Sequence, residues 1–169
     1  MRTEKLALKG MMRNILEESR MVLPGVQALF GFQLIAVFNS GFGELDVFDK
    51  EVHLIALLLN ILAIGCLMAP ASYHRQVERD SVSDHLVNFS SQLLCIGLIP
   101  LVMSLSLDAY VVCKAITDST HHGIVAGLFS FSFLTLLWYA VPQIERKKRK
   151  ARQEENHKVL SDIFEVQSN

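Results

Sequence analysis

Charge is almost missing from four long stretches of this 169-residue chain, residues 21–38, 52–70, 86–112 and 123–141, where Asp108 is the only Asp, Glu, Lys or Arg. A soluble four-helix bundle needs a polar stripe recurring every third or fourth residue, so these gaps argue against one. Each run is instead close to the ~20 apolar residues that carry a helix across ~30 Å of hydrocarbon. Cysteine is scarce as well: Cys66, Cys95 and Cys113 are odd in number, form no CxxC pair and fall in or beside the runs. This spacing gives neither a disulfide framework nor a thiolate zinc site, and fits buried thiols. The sequence also lacks a nucleophile motif, phosphate loop, dinucleotide fingerprint, HExxH helix and paired carboxylates. An enzyme is therefore not expected, and no catalytic residue, cofactor or metal is assigned.

What is present is apolar: 51% of residues are hydrophobic and the mean hydropathy is +0.33. The expected fold is all-α, a four-helix transmembrane bundle over residues 1–142 with a cytoplasmic tail over 143–169. The first run follows twenty residues of mixed charge and precedes no small-x-small cleavage site, so it reads as a retained span. Basic residues resist translocation. Arg2, Lys5, Lys9, Arg13 and Arg20 precede span one, Arg75 and Arg79 join spans two and three, and Arg146, Lys147, Lys148, Arg149, Lys150, Arg152 and Lys158 follow span four. The other two connections hold Lys50 and Lys114, the first among Glu44, Asp46, Asp49 and Glu51. The pattern predicts both termini on the inner side of the membrane. Tyr73, Trp138 and Tyr139 would mark the inner interface, and Phe38, Phe42, Phe48 and Tyr110 the outer one.

Residues 3–20 interleave Leu6, Met12, Ile15 and Leu16 with charge, as an amphipathic surface helix does, and Pro24 would let it turn into span one. The basic cluster at 146–152 predicts contact with anionic lipid rather than nucleic acid. Beyond it, Val159, Leu160, Ile163 and Phe164 offer an apolar face to membrane or partner.

Helices in lipid associate through small residues and shared hydrogen bonds. Gly123, Gly127 and Ser130 form such a ridge on span four, suited to helix packing, and a homo-oligomer is expected. On span two, His53, Ala56, Asn60 and Ala63 share one face. On span three, His85, Asn88 and Gln92 align, and Pro100 frees the carbonyl of Ile96, predicting a kink or a hydrogen bond from Ser104. Gln27 and Gln33 point to different sides of span one, one of them suited to an intersubunit contact. A candidate polar path then runs through His53, Asn60, Gln92 and Asp108. Asp108 is an intramembrane carboxylate if span three begins near Leu93, and an interfacial residue facing Lys114 if it begins near Leu86. His53, His121 and His122, with Asp118 or Glu51, would be the donors of any metal site.

Two segments, Leu-Pro-Gly-Val-Gln-Ala-Leu-Phe-Gly-Phe-Gln at 23–33 and Ala-Pro-Ala-Ser-Tyr-His-Arg at 69–75, resemble those of a bacterial family of small four-span membrane proteins of uncharacterised function. The likeness extends over roughly residues 10–145. It implies an integral membrane protein, and some similar proteins carry a sodium/proton antiporter label. This chain lacks the mid-span acidic pair of antiporters in other families. The motif residues also suggest a cytoplasmic clamp in which Glu17 or Glu18 pairs with Arg75 beside His74, a lipid phosphate being the other partner open to Arg75. Two function classes result: a non-enzymatic oligomeric accessory or structural membrane protein, and an oligomeric ion or proton channel or transporter.

Overall fold

The computed structural model describes residues 2–77 and 82–167. Arg79, and the side chains of Arg2, Lys5, Lys158, Val159, Leu160, Ile163 and Phe164, lie outside the described residues. The described chain is all-α: α1 (Arg2–Val37), the single turn α2 (Ser40–Gly43), α3 (Val47–Val77), α4 (Asp84–Thr117), α5 (Thr120–Thr135), a π-helical turn (Leu136–Ala140) and α6 (Val141–Gln167). Four helical stretches are long and apolar enough to cross a membrane: Leu6–Val37, Val47–Val77, Asp84–Thr117 and Thr120–Glu154.

The amphipathic segment and span one are one uninterrupted helix of 36 residues, about 54 Å long at 1.5 Å per residue. Pro24 does not break it. The proline and its missing donor lie on an exposed face, while packing runs straight past on the other: Met12, Ser19, Val26 and Gln33, seven residues apart, are all buried. The same period recurs on the neighbours. Asp49, Ala56, Ala63 and Pro70 repeat on α3, with His53, Asn60 and Leu67 four residues after the first three. On α4, Ser90, Gly97, Ser104 and Val111 repeat, with Leu101 beside them. A seven-residue period keeps one seam facing its neighbours if the helices supercoil gently.

Small residues set how closely the helices approach. A Cβ on Gly97 would lie 3.0 Å from Cys66 Cβ, so α3 and α4 are in near backbone contact there. Glycines of α5 do the same against α4: a Cβ on Gly123 would meet the Tyr110 carbonyl at 2.9 Å, and one on Gly127 the Ser106 carbonyl at 3.2 Å. The connection between these helices is short because Asp118 takes the left-handed conformation, φ 50°, which its short polar side chain tolerates. Ser83 caps the start of α4, accepting from the Leu86 amide at 3.2 Å.

Residues from Ser132 onward form a separate compact unit. Within it the helix widens at 136–140, where the Val141 amide donates to the Leu136 carbonyl. Pro142 explains the widening, since it has no N–H to offer the Trp138 carbonyl four residues back. The basic residues 146–152 that follow are exposed.

Candidate functional site: a buried polar core beneath a cleft

Three apolar helices converge on a polar centre toward the α2 end of the bundle. Gln33, in the last turns of α1, is 6% exposed and joins all of it. Its Nε2 donates to Asp108 Oδ2 and, at 3.0 Å, to Ser104 Oγ, and its Oε1 accepts from Asn60 Nδ2 at 2.9 Å. Ser104 Oγ in turn donates to the Ala56 carbonyl at 2.8 Å. An amide with both hydrogens and its oxygen engaged has one orientation, so the network is directional, from Asn60 through Gln33 to the carboxylate.

His53 completes the core. Its Nε2 lies 3.0 Å from the backbone carbonyl of Gln33, which can only accept, so this nitrogen carries the proton. Its Nδ1 faces Asp108 Oδ1 at 3.4 Å. A lone pair facing a carboxylate oxygen is repulsive, so one proton lies between them, on nitrogen or on oxygen. Phe42 covers the ring from the α2 side, with centroids 5.3 Å apart and an interplanar angle of 66°.

A second cluster lies above the first. Asp49, 1% exposed, holds Lys114 Nζ at 2.7 Å and accepts from Tyr110 Oη at 3.1 Å. Lys114 also reaches Asp46, at 3.3 Å, whose side chain is 76% exposed. A buried carboxylate needs such a partner to remain charged. A cleft of about 590 Å³ opens here, lined among others by Phe42, Asp46, Asp49, His53, Lys114 and Asp118. His53 is thus the floor of the cleft and the first member of the core. On the far side of Asn60 the buried seam is mostly apolar, with Ala63, Leu67, Pro70, Gly97 and Leu101, and its buried polar side chains are the hydroxyls of Ser19 and Ser90.

The structure therefore brings together His53, Asn60 and Asp108, and leaves Gln92 exposed on another face of α4. Asp108 pairs with His53 and Gln33 rather than with Lys114, which lies six residues, about 9 Å, further along the helix. Ser104 bonds across to α3 and not to the Ile96 carbonyl, and α4 runs unbroken through Pro100. Gln33 joins the intrachain core, while Gln27 is exposed. Gly123 and Gly127 pack on α4 within the chain, with Ser130 half-buried one turn on. Glu17 pairs with Arg13 at 3.4 Å; Glu18 and Arg75 are exposed, His74 is half-buried, and no ion pair joins Glu17 or Glu18 to Arg75 among the described residues. His121 and His122 are exposed neighbours at the start of α5, and no group of three or more metal-binding side chains forms among the described residues.

The model of one family matches residues 2–142. The chain belongs to the family of unknown function DUF6328. Comparison with curated proteins and with solved structures found no match. The matched part of this DUF6328 chain contains the whole polar core and cleft, and the basic stretch 146–152 falls beyond it. Gln33 and Ser104 stood out in the sequence for other contacts and not as members of this core, yet each is in phase with a seven-residue column, Gln33 with Val26 and Ser19, Ser104 with Gly97 and Ser90. That phase was the available signal. Asp49 and Lys114 meet across 65 positions of sequence, with no local pattern to announce it.

Proposed function

We propose that this multi-pass membrane protein takes up and releases a proton at the His53–Asp108 pair, as a proton-coupled channel or transporter that works as an oligomer. One observation carries the reading: His53 Nδ1 and Asp108 Oδ1 face each other at 3.4 Å beneath a cleft, between long and largely apolar helices. Intramembrane ionisable groups are expensive and are characteristic of proton relays. The antiporter label of some similar proteins belongs to the same class. The ionisable groups packed near the pair are Asp49, Tyr110 and Lys114 with Asp46 at the rim, Asp49 holding Tyr110 and Lys114, and Lys114 reaching Asp46; α1 contributes Gln33, which does not ionise.

The oligomer is supported by α4, where His85, Asn88 and Gln92 are exposed along one face. In lipid such amides need hydrogen-bond partners, and a second copy supplies them. The proposed orientation is both termini inside a bacterial inner membrane, with the cleft outward and residues 146–152 on anionic lipid, as the basic residues require.

A second reading, a non-enzymatic accessory or structural subunit, draws on α5, where Gly123 is the one fully buried residue and the apolar remainder is open to another protein. Liposome flux separates the two. With the full chain reconstituted under an imposed pH gradient, with Na+ or K+ present, proton flux is expected, and Asp108→Asn and His53→Gln should abolish it. No flux from the unaltered chain in any condition removes the transport reading. Flux that survives both substitutions removes the site.

A further inference from the structure

The polar core ends on an oxygen that has nothing to accept. Asn60 is 1% exposed and its Nδ2 is used by Gln33, but its Oδ1 has no hydrogen-bond partner among the described residues. Leaving a buried acceptor unpaired is costly, so native structures fill such positions, often with ordered water. The register of α3 on α4 shows what lies level with it. Ala56 is tied to Ser104 and Cys66 faces Gly97, so Asn60 between them falls opposite Pro100 and Leu101.

Pro100 creates a second acceptor at this level. Having no N–H, it leaves the Ile96 carbonyl without its helical donor, and that carbonyl points along α4 toward the proline ring. Ser104, eight residues and about 12 Å further along the helix, is out of reach of that carbonyl and donates to Ala56 instead. The other buried side chains nearby, Ala63, Leu67 and Leu101, have no hydrogen to donate. The Asn60 oxygen and the carbonyl beside Pro100, within about a turn of each other along α4, thus lack a side-chain donor among the described residues.

We infer that a water molecule binds between α3 and α4 at the level of Asn60 and Pro100, donating one hydrogen to Asn60 Oδ1 and the other to the Ile96 carbonyl. A water has two donors to match two acceptors, and a site of this size needs two to four polar partners to hold one. A bare metal cation is a poor occupant, because two neutral oxygens among alkyl groups do not replace a hydration shell. The role of this water rests on the proton-transport reading: it extends the polar path beyond Gln33 and Asn60 toward the half of the bundle where the buried side chains are mostly apolar, Ser19 and Ser90 aside.

The water itself is tested without transport. In solid-state NMR of the full chain in lipid bilayers, magnetisation should pass from water protons to the Asn60 side chain. Pro100→Ala restores a donor to the Ile96 carbonyl while leaving every other core side chain in place, and should abolish that transfer. It should also reduce liposome proton flux about tenfold, as loss of one buried hydrogen-bond partner does. Asn60→Leu removes the other acceptor and should reduce flux similarly, but Pro100→Ala is the decisive variant because it does not cut the Gln33 bond. Absence of water transfer to Asn60 in the unaltered chain overturns the inference. So does transfer unchanged by Pro100→Ala, or an Asn60 resonance that moves with added NaCl in place of contact with water. Water transfer without any flux would uphold the water site and remove the transport reading, whereas flux without water transfer would do the reverse.

Discussion

Gln33 and Gln27 share a helix and a chemistry but differ in what they touch. Gln33 holds Asp108, Ser104 and Asn60 at once, so Gln33→Leu leaves several buried polar groups without partners. A loss of about 2–4 kcal/mol is expected from the usual cost of such groups, measured by denaturant unfolding in mild detergent. Gln27→Leu, on an exposed position, should stay within about 0.5 kcal/mol. The aspartates of the cleft divide in the same way. Asp49 is buried against Lys114 and Tyr110, whereas Asp46 meets the same lysine from a position open to solvent and salt. Asp49→Asn should therefore lower the melting temperature clearly and at all ionic strengths, and Asp46→Asn should barely change it.

At the scale of the helices, glycine has two meanings. Gly123 lies where α5 approaches the α4 backbone, and an alanine methyl there would be 2.9 Å from the Tyr110 carbonyl. Gly25 has nothing within 4 Å of the equivalent position. Gly123→Ala should destabilise by about 1–3 kcal/mol through overpacking, and Gly25→Ala should be neutral or stabilising by up to about 1 kcal/mol through helix propensity. Equal effects in thermal unfolding would contradict close α4–α5 packing. The continuity of α1 has a similar origin: an exposed proline withholds one hydrogen bond, and the buried column from Met12 to Gln33 outweighs it.

For the whole molecule, topology and assembly follow from where polar groups are exposed. In a cysteine-free background, Glu44→Cys should react with a membrane-impermeant thiol reagent added outside cells. Arg75→Cys should react only after permeabilisation, and the reverse pattern would invert the proposed orientation. Gln92→Cys should cross-link copies of the chain in native membranes through the exposed face of α4. Retention of monomers with both short and long bifunctional reagents would place that face against lipid.

The four spans were legible because hydrocarbon admits only long runs without charge, a constraint that acts residue by residue along the sequence. The polar face of His53 and Asn60 was legible too, since helical periodicity places both beside small residues. Much of the site was not. Gln27 and Gln33 were equal candidates for an intersubunit contact and Gln92 looked like part of the path, because spacing states which side chains share a face but not what that face meets. Asp108 was ambiguous for the same reason: its depth depended on where span three began. Packing identified its partners. Close approach at Gly97 and Gly123 fixes the register of α4 between α3 and α5, and that register sets Asp108 against His53 and Gln33 while giving Lys114 to Asp49. The sequence by itself determined four helices long and apolar enough to cross a membrane, through the cost of burying charge; only tertiary structure decided which polar groups meet between them, because hydrogen bonds and ion pairs depend on distances between helices remote in sequence.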